Sequence, residues 1–389
     1  MTIRKQGAMI APSPSRARRS VMGLMLFLGV CAGGCAPDPP ESGTSASAEH
    51  EIHVQSADLT RIINAAMRAT GALPQDTPPV PAPTAANAIE ALDHADVTYG
   101  LALSGAYFWG IPSLRSAPLL DSLGVDIGNG RDRVRAENLY LAEQIARYPD
   151  RLVGACSVNP LAQYALEELE LCAADPRITA FSLNLAPAPV DFRDESHVAS
   201  LRTFFEALAR TDLAVIVHMR NRGEGYGAGD AGVFIREVLA TAPGVPVQIA
   251  HMAGWGPYDE ATDSAMQAFV DAFEDGTLDR DRFTFGVGVV VDDPEEMDGD
   301  TARARAAAER NARLAERMRQ VGIERVVFST DWPFFPPDGD PRTRIARNRA
   351  RMRNVLPLEP AELDRFFSNV GPVFRHLVES HSSEQGSRE

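Results

Sequence analysis

The chain predicts an α/β fold, a (β/α)8 TIM barrel, and three observations carry that expectation. From Glu51 onward, eight apolar runs alternate with amphipathic segments of helical period. The runs are almost continuously apolar instead of alternating, as parallel strands covered on both faces are. His53, His218, His251 and Asp331 sit at or just past the ends of such runs, where a barrel keeps its functional face. The competing architecture, an open doubly wound sheet, would normally carry a Gly-rich phosphate turn after its first strand, and none follows "EIHVQ".

The strand-like runs are "EIHVQ" (51–55), "YGLALSGAYF" (99–108), "RLVGACSVNP" (151–160), "ITAFSLNL" (178–185), "LAVIVHMR" (213–220), "PVQIAHMAG" (246–254), "FTFGVGVVV" (283–291) and "RVVFSTDWP" (325–333). Helical segments between them include "VRAENLYLAEQIARY", "ALEELELCAAD", "LRTFFEALART" and "RARAAAERNARLAERMRQVG", each with an apolar stripe. A Pro-rich patch, "PQDTPPVPAPT", interrupts the first connection. "DDPEEMDGDT", 292–301, reads as a solvated connection in preference to a mobile acidic lid. Cys156 and Cys172, on a strand-like run and near a helix end, read as two separately buried thiols.

The N-terminus reads as a targeting segment. "SRARRSVMGLMLFLGVCAGGC" combines a basic region, in which Arg18 and Arg19 are paired, with an apolar run too short to span a bilayer. "AGGC" ends at Cys35, and resembles a bacterial lipobox whose cysteine is acylated. Plain secretory cleavage is the alternative, and the paired arginines also suit twin-arginine export. The expected organisation is a leader with lipobox over 1–35, a flexible linker over 36–50, a barrel domain over 51–381 and a disordered tail over 382–389. The expected location is the cell envelope, with the protein anchored to the membrane through Cys35.

Charge narrows the partners. The formal net charge is -15, and the leader contributes five basic residues and no acids, so the remainder carries -15 - 5 = -20. Such a body repels nucleic acid and anionic headgroups, which leaves a small-molecule substrate and, beyond the lipid anchor, self-association as the partners to expect. Lys5 is the only lysine, so no lysine of the body can form a Schiff base or a carbamylated metal bridge.

His53 and Gln55, two apart on one strand, share a face. His218 ends "LAVIV", His251 ends "VQIA" and Asp331 ends "VVFST". Nitrogen and oxygen donors drawn from separate strands suit a borderline cation such as zinc. His50, His94, His197, His376 and His381 lie in helical, linker or tail positions and read as ordinary core or surface histidines.

This constellation resembles the amidohydrolase superfamily, specifically its amidohydrolase-related branch, over about residues 51–377. "EIHVQ" is similar to the family's first-strand D-x-H-x-H, "VHMR" to its fifth-strand His, "IAHMAG" to its sixth-strand His region and "VVFSTDWP" to its eighth-strand motif. "FFSNVGPVFRHL" resembles the closing helix. The resemblance implies a metal-dependent hydrolase type of barrel holding one divalent metal, zinc, through His53, His218 and Asp331, with Asp331 and His251 as the catalytic groups. Two positions depart from it: Gln55 replaces the second first-strand histidine, and "SLN", 182–184, stands where many relatives have Lys or His.

The expected chemistry is attack of metal-activated water on a small organic carboxylate, cyclic or aromatic. Arg220 and Arg222 are the expected anion grips, and Trp109 and Trp255 the expected aromatic walls. Metal-independent lactone hydrolysis and decarboxylation are the alternatives within the family, and an inactive envelope-binding lipoprotein is the alternative outside enzymes.

Overall fold

Eight parallel strands pair strictly in sequence order. They are β1 (Ala48–His53), β2 (Tyr99–Leu103), β3 (Leu152–Ser157), β4 (Ile178–Asn184), β5 (Ala214–His218), β6 (Val247–Ile249), β7 (Phe283–Val287) and β8 (Val326–Phe328). All eight fall within the runs read from the sequence, apart from the start of β1. The seam between last and first strand closes beyond β8, where His53 N–H donates to Trp332 O at 2.7 Å and Trp332 N–H donates to Glu51 O at 3.1 Å. This computed structural model describes residues 46–69, 73, 78–111, 130–188, 190–221, 225–297, 299–335, 339–375 and 377–379.

Helices cover the outer face: α1 (Ala57–Ala69), α2 (Ala85–His94), α3 (Gly130–Ile145), α4 (Ala165–Ala173), α5 (Glu195–Leu208), α6 (Ala228–Glu237), α7 (Glu260–Glu274), α8 (Thr301–Val321), α9 (Arg344–Val355) and α10 (Pro360–Ser368). Their starts are set by local chemistry. Thr84, Asp194, Asp259 and Asp300 cap α2, α5, α7 and α8 by accepting from N–H groups of the first turn, each worth about 1 kcal/mol.

Two apolar layers result. The larger lies between strands and helices and includes Phe181, Phe204, Phe205, Phe234, Phe269 and Phe285. The smaller fills the barrel with Leu101, Leu103, Val153, Ile216 and several alanines, and Val373, Phe374 and Leu377 join it from the C-terminal segment. Phe374 stacks on Tyr99 at 5.9 Å at the start of β2, so the segment resembling a family closing helix plugs the end opposite the functional face.

Two expectations are corrected here. β1 begins at Ala48, inside the stretch assigned to the linker. Glu49 and His50 are fully buried because they extend that strand, and His50 is a core histidine whose Nδ1 lies 2.9 Å from Gln248 Oε1. Cys156 and Cys172 are joined in a disulfide, not separate: β3 turns Cys156 toward α4, whose buried face carries Cys172, with the two Cα atoms 6.4 Å apart. The leader, Cys35 and the tail lie outside the described residues.

Candidate metal centre

Glu51 from β1, His218 from the end of β5, His251 just past β6 and Asp331 just past β8 converge at the C-terminal ends of the strands. One donor atom from each lies within 4.8 Å of all the others, and all four residues are buried. His251 Nδ1 is 3.3 Å from Glu51 Oε2, His251 Nε2 is 3.4 Å from Asp331 Oδ2, and His218 Nε2 is 4.0 Å from Glu51 Oε1. His53 borders the group, with Nε2 3.4 Å from Asp331 Oδ1 and its ring edge-on to Phe334.

The backbone goes to some length to hold this arrangement. His251, Met252, Ala253 and Asp331 all have φ between 50° and 60°, in the left-handed region that side-chain-bearing residues rarely adopt. Each such residue costs on the order of 1–3 kcal/mol unless its surroundings compensate, and such strain concentrates at functional sites. Gly288 permits the close approach of the β7 end to the β8 turn, since a Cβ there would lie 2.8 Å from Ser329 O.

Burial dominates the electrostatics. It pushes Glu51 up to about 8, against the opposing pull of His251, and pushes His218 down to about 3. Burial also disfavours the charged form of His251, but the carboxylates of Glu51 and Asp331 outweigh it and hold the imidazolium up to about 9. Asp331 is likewise opposed by burial, yet His251 and His53 keep its carboxyl well below the usual range.

The donor set fits a divalent cation. Both oxygens of Glu51, His218 Nδ1 and both ring nitrogens of His251 have no hydrogen-bond partner among the described residues, although all are buried. Leaving that many buried polar atoms without a hydrogen bond in a low-dielectric interior is costly even where an opposite charge lies near, and a cation bound by two imidazoles and two carboxylates would satisfy several at once.

The sequence-derived residues fare unevenly. His218, His251 and Asp331 meet in one group, and His53 flanks it. Glu51, which sequence reasoning assigned no role, supplies a central carboxylate; the available signal was its spacing of two from His53, which puts both on one strand face. Gln55 turns instead toward Thr60, whose Oγ1 accepts from its Nε2 at 3.4 Å, and toward Gly105.

Of the three expected substrate residues among the described residues, Trp255 is the one at the site. It is 37% exposed and edge-on to His251 at 5.5 Å and to Phe335 at 5.6 Å. Trp109 is instead buried, its indole N–H directed at Glu137 Oε2 (3.5 Å), because a buried indole needs an acceptor and α3 provides one. Arg220 is also committed elsewhere: it donates to both oxygens of Asp259 at 2.9 and 2.8 Å and to Thr262 Oγ1 at 2.7 Å, pinning the β5 end to α7. Arg222 lies outside the described residues. Tyr107 is a further buried polar group, its hydroxyl accepting from Asn184 Nδ2 at 3.2 Å.

A strand-ordered parallel barrel with clustered imidazoles and carboxylates at its C-terminal face defines the class as a TIM-barrel protein with one group able to hold a metal among its described residues. Residues 126–369 match the Amidohydro_2 amidohydrolase model, well over half of the chain, and the chain belongs to that family of enzymes.

Solved structures of the same fold share little sequence. A dihydroxybenzoic acid decarboxylase from Polaromonas sp. JS666, with bound manganese and 2-nitroresorcinol, is 15% identical over 86% of this chain and 97% of that one, with a TM-score of 0.53. A 5-carboxyvanillate decarboxylase from Sphingomonas paucimobilis is 16% identical over 84% and 97%, with a TM-score of 0.51. A 2-pyrone-4,6-dicarboxylic acid hydrolase from Pseudomonas putida, described as putative, is 14% identical over 86% and 97%, with a TM-score of 0.50. No curated protein matches the chain by sequence.

Proposed function

We propose that this protein is an exported, metal-dependent hydrolase of a small cyclic or aromatic carboxylate. The observation that carries the reading is the buried group of Glu51, His218, His251 and Asp331, whose unpartnered donor atoms fit a divalent cation. Manganese and zinc both suit a mixed imidazole and carboxylate set. A cation held there supplies a Lewis acid that polarises a substrate oxygen and acidifies water.

The chain's own residues do the rest. Asp331, flanked by His53 and His251, is placed to take a proton from water and pass it toward the leaving group. Trp255 and Phe335 offer an apolar wall to a ring, and Tyr107 adds a hydroxyl fixed by Asn184. The Cys156–Cys172 disulfide supports an oxidising compartment, in keeping with export and lipid anchoring at Cys35.

Decarboxylation is the second reading. Arg220 is occupied by Asp259, which supports a substrate carboxylate being held at the cation group itself. The test loads the protein with Mn2+ or Zn2+ and screens aromatic lactones, cyclic amides and hydroxybenzoates, following 18O uptake from water and CO2 release. Asp331→Asn should lower turnover by about 10²–10⁴-fold. Equal turnover in the variant would overturn the assignment, and CO2 release without 18O uptake would establish the second reading.

A further inference from the structure

Glu49 is fully buried on β1, two residues before Glu51, and takes no part in the chemistry above. Its Oε1 accepts from the backbone N–H of Thr330 at 2.9 Å and from that of Glu51 at 3.1 Å. One oxygen therefore ties the residue immediately before Asp331 to Glu51 itself. We infer that Glu49 is a positioning residue: by clamping the seam between β1 and the turn after β8, it sets the separation of the two carboxylates of the candidate metal centre. The inference rests on the reading of those carboxylates as cation ligands.

The seam explains why a side chain is needed there. The pairing of β1 with β2 shifts register between Glu49 and Ile52, and regular pairing of β8 ends at Phe328. Ser329 N–H still reaches Val287 O at 3.1 Å, but Thr330 N–H is satisfied by the Glu49 carboxyl. Asp331 then turns into the left-handed region at φ 55°, and Trp332 N–H rejoins β1 at Glu51 O. The strained residue is thus held on both sides by β1, before it by Glu49 and after it by Glu51. Among the described residues Glu49 forms no ion pair that would explain it otherwise: its Oε2 has no hydrogen-bond partner, and the Arg349 guanidinium donates to Ala95 O and Asp96 O.

The test compares Glu49→Ala, Glu49→Asp and Glu49→Gln in the purified protein, measuring Mn2+ binding by calorimetry and amide hydrogen exchange in peptides spanning 49–55 and 326–335. Alanine leaves two buried N–H groups without an acceptor, and aspartate withdraws the carboxyl by one methylene, so both should weaken Mn2+ binding by about tenfold or more and speed exchange in both peptides. Glutamine keeps an acceptor oxygen in place and should restore both readouts. Wild-type affinity and exchange in the alanine and aspartate variants, or a glutamine variant as impaired as they are, would overturn the clamp. Absence of Mn2+ binding by the wild-type protein would sink the metal reading alone, and exchange would then decide the clamp: faster in alanine and aspartate but not glutamine supports it, unchanged overturns it.

Discussion

Replacing Glu51 by glutamine should stabilise the metal-free protein while abolishing its response to a divalent cation. Burial raises the Glu51 carboxyl from 4.5 to about 8, so its contribution to stability is fully present only below its unfolded value and is lost as pH rises toward 8. At pH 7.5 that is three pH units of unfavourable proton uptake, or up to about 4 kcal/mol, which a neutral glutamine avoids. The effect on cation binding has the opposite sign. At about 4 Å and an effective dielectric constant of about 20, one unit charge facing a divalent cation is worth about 8 kcal/mol, and even half of that is roughly three powers of ten in Kd. Mn2+ at about one hundred times the wild-type Kd should stabilise the wild type by about 2.7 kcal/mol. The variant would then sit at no more than about a tenth of its own Kd and gain less than about 0.1 kcal/mol. Urea unfolding at pH 7.5, with and without MnCl2, measures both arms. A variant that is destabilised without metal yet keeps the full Mn2+ response would refute the reasoning.

Other outcomes follow from the same geometry. Reduction of Cys156–Cys172, or replacement of both by alanine, opens a loop with a sequence separation of 16 and should cost about 3 kcal/mol by the loop-entropy relation, read from the shift in urea midpoint. Burial holds His50 down at about 4, below its unfolded 6.5, so the stability carried by its neutral form is present above 6.5 and lost as pH falls toward 4. His50→Asn should therefore flatten the acid limb of the stability profile by about 3 kcal/mol between those limits. Arg220→Lys should lower stability by about 1–2 kcal/mol, by losing the bidentate hold on Asp259, and leave KM unchanged; a large rise in KM would restore Arg220 to substrate binding.

Much of the barrel was legible because parallel strands buried on both faces must be apolar throughout, and that pattern survives in "LAVIV" and "VVF" without knowledge of their neighbours. His218, His251 and Asp331 stood out for a related reason: each interrupts an apolar run, and an ionisable group in that position is costly unless used. Glu51 did not stand out, since it begins its run and resembles a solvated residue bordering a linker. Its burial follows from β1 starting three residues earlier, which "AEH" gives no apolar signal to predict.

The sequence by itself determined the fold class, the family resemblance and which strand ends carry ionisable groups, because these depend on periodicity and position along one chain. Tertiary structure decided which groups meet. It brought Glu51 into contact with residues two hundred positions away, turned Arg220 onto Asp259 and Trp109 onto Glu137, and joined Cys156 to Cys172. Whether a charged side chain faces a ligand or a partner in the protein depends on the registers of neighbouring strands and helices, and those are set by packing across the whole barrel.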